Sequence, residues 1–216
     1  MLRFPLGTSI RTLTRTSIQA ALLAVITIIA PTAWAARSIL VFGDSLSAGY
    51  GIAQEAAWPS LLAKRLEQKR LDYSVTNASI SGETTSGGRT RLDSALDKHR
   101  PNIVIIALGA NDGLRGLPVK TMRDNLTAMA EAAQKKDARV LIVGQRLPPN
   151  YGPYAVQFHK AFSDVAKERK TALVDFLLDG VATRPELFQS DNLHPTAEAQ
   201  PILLDTVWRC LEPLLK

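Results

Sequence analysis

Five short runs rich in Val, Ile and Leu recur along the chain: RSILVFG (37–43), YSVTNAS (73–79), NIVIIALG (102–109), ARVLIVG (138–144) and TALVDF (171–176). Each is strand-length, and apolar positions on both faces predict strands covered on both sides, as in a parallel sheet. Between them lie segments of helical period: WPSLLAKRLEQK, TTSGGRTRLDSALDKH, VKTMRDNLTAMAEAAQKK, YAVQFHKAFSDVAKERK and the final TAEAQPILLDTVWRCLEPLLK. In the third, Met122, Leu126, Met129 and Ala133 share one face while Lys120, Arg123, Asp124 and Glu131 lie elsewhere, the pattern of a covering helix. Alternating strand and helix predicts an α/β fold: a five-stranded parallel sheet in three α/β/α layers with right-handed crossovers, flavodoxin-like in its general plan.

The first 35 residues follow a different pattern. Arg3, Arg11 and Arg15 precede the apolar stretch IQAALLAVITIIA, and PTAWA follows it with no acidic residue anywhere in the segment. This is the layout of a signal peptide, with Ala33 and Ala35 as the small residues before cleavage, so residues 1–35 are expected to be removed and residues 36–216 to form one domain. A membrane anchor is the competing reading, but the apolar stretch is shorter than the roughly 20 residues a spanning helix needs. An exported, periplasmic protein is expected, with full secretion as the alternative.

Charge and cysteine content narrow the classes further. Removing three arginines and no acid lowers the formal charge from +6 to +3, and the remaining Lys and Arg are scattered among Asp and Glu. That is a solvated surface and predicts no nucleic-acid partner. Cys210 is the only cysteine, so no internal disulfide can form, and none lies near the cleavage site to carry a lipid. No stable membrane anchor is expected after processing, and a monomer is anticipated.

Ligands of such sheets bind beyond the carboxyl ends of the strands, near the point where strand order reverses. GDSLSAGYG follows the first strand, ISGETTSGG the second, GANDGLRG the third, QRLPPNYG the fourth, and a long run ending in SDNLHP the fifth, so the polar and glycine clusters share one rim. A serine hydroxyl needs a base, normally a histidine oriented by a carboxylate. His99 ends a helix at the opposite rim and His159 lies inside one, whereas His194 lies in a loop on the cluster rim with Asp191 three residues before it. Pro195 holds His194 to extended backbone. A helix start capped near Thr196, with Asp191 as an ordinary turn residue, explains the same stretch equally well.

Gly82 allows close backbone approach and Asn111 offers an amide, the kinds of donor an oxyanion requires, although both residue types also fill turns. Anion binding by the loop after the first strand is the alternative, but neither GxGxxG nor GxxxxGK[ST] occurs there, and it leaves Asn111, Asp191 and His194 unexplained. Asp191 and His194 alone are too few for zinc, which takes three or four protein ligands, so no metal and no cofactor are expected.

The ordered set GDSLSAGYG, SISGET, GANDG and DNLHP, each after its own strand, resembles the four sequence blocks of the SGNH hydrolases, also called the GDSL family. NASISGETTSGG, RLPPNYG and DNLHP followed by AQP resemble the subgroup of bacterial thioesterases I, also protease I and lysophospholipase, and arylesterases. The resemblance covers the whole mature chain. It implies Ser45 as nucleophile, His194 as base, Asp191 as its orienting acid, and an oxyanion hole of Gly82, Asn111 and the Ser45 backbone N–H. It also implies activity on acyl esters, acyl thioesters and lysophospholipids as small-molecule substrates. The family lacks the GxSxG elbow, and here Ser47 stands two residues after Ser45 where that motif has glycine. Ser47 is expected in the turn or the first helical residues, satisfying local backbone donors. Leu114, Leu117, Leu147 to Tyr151 (including Pro149), Leu187 and Phe188 are candidates to line an acyl groove, and equally to be ordinary loop packing. A carbohydrate O-acetylesterase of the wider family and a non-catalytic exported lipid- or anion-binding protein are the competing functions.

Overall fold

The computed structural model describes residues 37–216; the segment assigned as a signal peptide, residues 1–35, lies outside the described residues. Five strands, β1 (Arg37–Gly43), β2 (Tyr73–Asn77), β3 (Ile103–Ala107), β4 (Arg139–Val143) and β5 (Ala172–Val174), form one sheet in the order β2-β1-β3-β4-β5. All four pairings are parallel. Seven α-helices accompany them: α1 (Ser45–Ala48), α2 (Trp58–Gln68), α3 (Thr85–His99), α4 (Ala110–Leu114), α5 (Val119–Lys135), α6 (Pro153–Arg169) and α7 (Gln200–Leu211).

The two-residue period of the strands divides the core between the faces of the sheet. Ile39, Val41, Ile103, Ile105, Leu141 and Val143 pack against α2 and α7 through Trp58, Leu62, Leu203 and Val207. Their neighbours Leu40, Phe42, Val104, Ile106, Val140 and Ile142 face α3, α5 and α6, meeting Leu92, Leu126, Met129, Phe158 and Phe162. The Met-bearing face of α5 is therefore core, with Met122, Leu126, Met129 and Ala133 all buried. Central strands buried on both sides are what a parallel sheet between helix layers requires.

Several boundaries differ from those expected. β5 is three residues long, because it lies at the sheet edge and pairs only with β4 over Ala172 to Val174. The last helix starts at Gln200, not Thr196: the Ala199 and Gln200 N–H groups donate three residues back, to the Thr196 and Ala197 carbonyls, so the chain makes tight turns before it winds. Cys210 is half-buried on α7, and burial pushes its thiol pKa up, which disfavours the reactive thiolate. Among the described residues no helix is long and apolar enough to cross a membrane.

Candidate active site

Strand order reverses between β1 and β3, and the chain leaves the carboxyl ends of both strands into a very short helix. α1 begins at Ser45 directly after the strand and is capped by Asp44, whose Oδ1 accepts the Leu46 N–H at 3.0 Å. The Ser47 and Ala48 N–H groups reach the Asp44 carbonyl, and the helix closes on left-handed Gly49. The Ser45 N–H, at the first helical position, donates to no group among the described residues. Ser47 lies in this first helical turn, as expected, but it is fully buried and its Oγ has no hydrogen-bond partner in place of the expected local donors.

Ser45 Oγ lies 2.9 Å from His194 Nε2, and His194 Nδ1 lies 2.6 Å from Asp191 Oδ2. The other oxygen, Asp191 Oδ1, accepts the backbone N–H groups of Leu193 at 2.9 Å and His194 at 3.0 Å. These bonds bend residues 191–194 so that the carboxylate meets the ring of its own loop. They also stabilise the charged form: the His194 backbone N–H foremost, then the His194 ring and the Leu193 N–H, hold the Asp191 pKa down to about 2. An ionised carboxylate on Nδ1 fixes that nitrogen as the protonated one and leaves Nε2 free to take the serine proton.

The carboxyl on the other side of Ser45 behaves oppositely. Asp44 is completely buried, and burial, with the Asp112 charge adding to it, outweighs the Leu46 N–H and pushes its pKa up to about 7. Asp44 thus caps the helix, and its burial disfavours a second charge beside the serine.

Gly82 and Asn111 come together across the same mouth. Gly82 has φ +78°, in the left-handed region that glycine occupies without strain, and its N–H donates to no group among the described residues. Asn111, the second residue of α4, donates one amide hydrogen to the Glu83 carbonyl at 3.0 Å, and an amide carries a second. Neighbouring α4 groups hold the Gly82 loop. Arg115 donates to the Gly82 carbonyl at 3.0 Å, and buried Asp112 accepts the Thr85 N–H at 2.8 Å and the Thr85 hydroxyl at 2.6 Å. Glu83 is further fixed by a two-pronged ion pair with Arg91.

A cleft of about 580 Å³ opens over Ser45, Gly82, Asn111 and His194. Leu114 and Pro149 line it as expected, together with Leu147, Pro148 and Phe188. Leu117 and Tyr151 do not. The Leu117 carbonyl is tied to the Tyr154 hydroxyl at 2.6 Å, and the Tyr151 ring lies against Tyr154, with centroids 6.4 Å apart. Leu187 is buried in the core behind the cleft. The far wall, unanticipated from sequence, is Phe176, Leu178, Ala182 and Thr183 after β5, and Tyr50 covers the near side with its ring 4.5 Å from that of His194. Their one sequence signal is their position on the ligand-binding rim. Arg146 also borders the cleft, paired with Asp175, which in turn lies 3.2 Å from His159. His159 therefore sits beside the cleft without joining Ser45. Among the described residues no group of three or more His, Cys, Asp or Glu side chains is placed to hold a metal.

A hydroxyl, an imidazole and a carboxylate in hydrogen-bonded series, with N–H donors opposite, can form and stabilise an acyl-serine. Comparison with known proteins agrees with that chemistry. The chain is 47% identical over 182 residues to the esterase TesA of Pseudomonas aeruginosa, covering 84% of this chain and 90% of that protein. It is 39% identical to the thioesterase 1/protease 1/lysophospholipase L1 of Escherichia coli strain K12, covering 84% and 86% respectively. A crystal structure of TesA superimposes with a TM-score of 0.81 at 46% identity, over 82% of this chain and 99% of that one. Residues 41–201, from the end of β1 to the start of α7 and so spanning every element of the site, match the sequence model of the GDSL-like lipase/acylhydrolase family, and the chain belongs to that family.

Proposed function

We propose that the protein is a serine hydrolase that cleaves carboxylic esters and thioesters through an acyl-enzyme, with Ser45, His194 and Asp191 as its catalytic residues. The observation that carries the reading is the unbroken chain from Asp191 Oδ2 through both nitrogens of His194 to Ser45 Oγ, at 2.6 and 2.9 Å. Ser45 Oγ bonds to the carbonyl carbon while its proton passes to His194 Nε2. The tetrahedral intermediate places its negative oxygen toward the N–H groups of Ser45 and Gly82 and the second amide hydrogen of Asn111. As it collapses, the C–O or C–S bond breaks and the leaving alcohol or thiol takes the proton from His194. Water then adds to the acyl-serine by the same route, and the acid is released. Asp191 stays ionised throughout, stabilising the imidazolium.

The apolar walls of the cleft, Leu114, Leu147, Pro149, Phe176 and Leu178, suit an acyl chain. Acyl thioesters and lysophospholipids are therefore the substrate classes proposed within the ester-hydrolase function, and the name of the Escherichia coli relative supports both. The arginine-bearing, apolar N-terminal segment with its Ala-Trp-Ala ending supports export to the periplasm and removal of residues 1–35. Hydrolysis of p-nitrophenyl esters of increasing chain length and of an acyl thioester tests the reading. Wild type turns over both with acyl chains longer than acetyl, and Ser45→Ala turns over neither. Turnover surviving in Ser45→Ala, or restricted to acetyl esters, contradicts it.

A further inference from the structure

His194 and Ser45 are 149 residues apart and arrive on separate loops, so something other than chain connectivity must set the distance between them. The His194 loop is well closed on itself. Phe188 and Pro195 form an antiparallel bridge, the Gln189 N–H donates to the His194 carbonyl at 2.8 Å, and the Asn192 N–H donates to the Gln189 carbonyl at 2.9 Å. Internal bonds of this kind shape the loop but leave its placement against α1 undetermined. Leu187 and Phe188 anchor its start in the core, and among the described residues the one side chain that bonds across to the loop after α1 is Gln189. Its Nε2 donates to the Tyr50 carbonyl at 2.8 Å and to the Pro195 carbonyl at 3.1 Å, spending both amide hydrogens.

Two further features fit the same contact. Gly51 has φ +73°, and a Cβ there would lie 2.1 Å from Gln189 Oε1, so the amide occupies space that only glycine leaves open. Tyr50, fixed through its carbonyl, sets its ring against His194 at 4.5 Å. Ser45, α1, Tyr50, Gln189 and His194 thus form a closed circuit around the Nε2 to Oγ contact.

We propose that Gln189 is a positioning residue for the hydrolytic reaction: its amide fastens the His194 loop to the loop after Ser45 and so sets the geometry of proton transfer. The proposal rests on the serine-hydrolase reading above. Displacements of about 1 Å in such a contact can cost on the order of 10²-fold in rate, so a loosened loop is expected to lower turnover far more than substrate binding.

The test uses Gln189→Met, which keeps the bulk and removes both donors, and Gln189→Glu, which keeps the shape and turns a carboxylate toward two carbonyls. Turnover of a p-nitrophenyl ester is expressed per active site titrated with a fluorophosphonate, so misfolded molecules do not count. In both variants kcat is expected to fall roughly 10- to 100-fold, KM to stay within about threefold, and the rate of phosphonylation to fall with kcat. A merely structural glutamine would lower the melting temperature and leave kcat per titrated site unchanged. Either Gln189 variant within about twofold of wild-type kcat overturns the proposal. If wild type itself is not phosphonylated, the serine-hydrolase reading falls too. If wild type reacts and the Gln189 variants react equally fast, only the role of Gln189 falls.

Discussion

On one side of Ser45, Gly82 and Asn111 are held by a bonded network anchored in the interior: buried Asp112 on buried Thr85, half-buried Arg91 on Glu83, and half-buried Asn111 on the Glu83 carbonyl. On the other side, Asp191 and His194 ride on a surface loop, with 40% of the Asp191 side chain exposed against 13% for His194. The carboxyls flanking the serine repeat the contrast, Asp44 pushed up to about 7 by burial and Asp191 held near 2 by N–H donors. The difference follows from what each side does. Donors that meet a developing charge are most effective when already rigid and dry. A base that takes a proton, passes it on and admits water needs an open approach, and its carboxylate partner needs solvent and N–H groups to stay ionised.

The largest effect should come from the exposed side. Asp191→Asn keeps the shape of the loop but loses the charge that selects the His194 tautomer, and kcat/KM for a p-nitrophenyl ester is expected to fall roughly 10³- to 10⁴-fold with little change in stability. A tenfold loss would mean that the loop backbone alone orients the ring. Asn111→Ala, on the opposite side, removes one oxyanion donor and should cost about 10²- to 10³-fold in kcat with KM nearly unchanged. A loss near twofold would show that the backbone donors suffice.

The smallest effect on turnover, and the clearest on stability, concerns Asp44. The unfolded carboxyl ionises near 3.9, while the folded one is pushed up to about 7. Between those values the folded state holds the extra proton, so this group's contribution is fully present below about pH 4 and is lost as pH rises through about 7. Asp191, with its depressed value, stays ionised in the folded state throughout that window and adds little slope above about pH 5; its own contribution is lost as pH falls from about 4 through about 2. Asp44→Asn can still cap Leu46. Urea unfolding at pH 4.5 and pH 7.5 should show the wild type losing more stability between the two than the variant, by on the order of a few kcal/mol. Equal losses in the two proteins would contradict a buried, proton-holding Asp44.

The sheet was legible because its strands are runs of Val, Ile and Leu buried on both faces, and a two-sided apolar run between amphipathic helices has few other uses. Ser45, Gly82, Asn111 and the Asp191–His194 pair can be placed on one mouth because each follows a different strand of a parallel sheet. The short helices α1 and α4 are not legible in the sequence, since four or five residues are too few to show a helical period. Yet they aim Ser45 and Asn111. Gln189 and Tyr50 carry no signal of spacing or composition, because their roles depend on a side chain meeting a backbone carbonyl 139 residues away. Leu117 and Tyr151 lie on the rim but outside the cleft lining for a related reason: a loop's position on the rim does not reveal which of its side chains turn inward.

Two serines two residues apart, Ser45 beside His194 and Ser47 buried beneath it, make the assignment of the nucleophile measurable in one step. The protein is treated with a fluorophosphonate, digested, and the modified residue located by mass spectrometry, with Ser45→Ala and Ser47→Ala alongside. A single adduct on Ser45, absent in Ser45→Ala and present in Ser47→Ala, is the expected result. An adduct on Ser47, or labelling that persists in Ser45→Ala, would contradict the catalytic chain from Asp191 through His194 to Ser45.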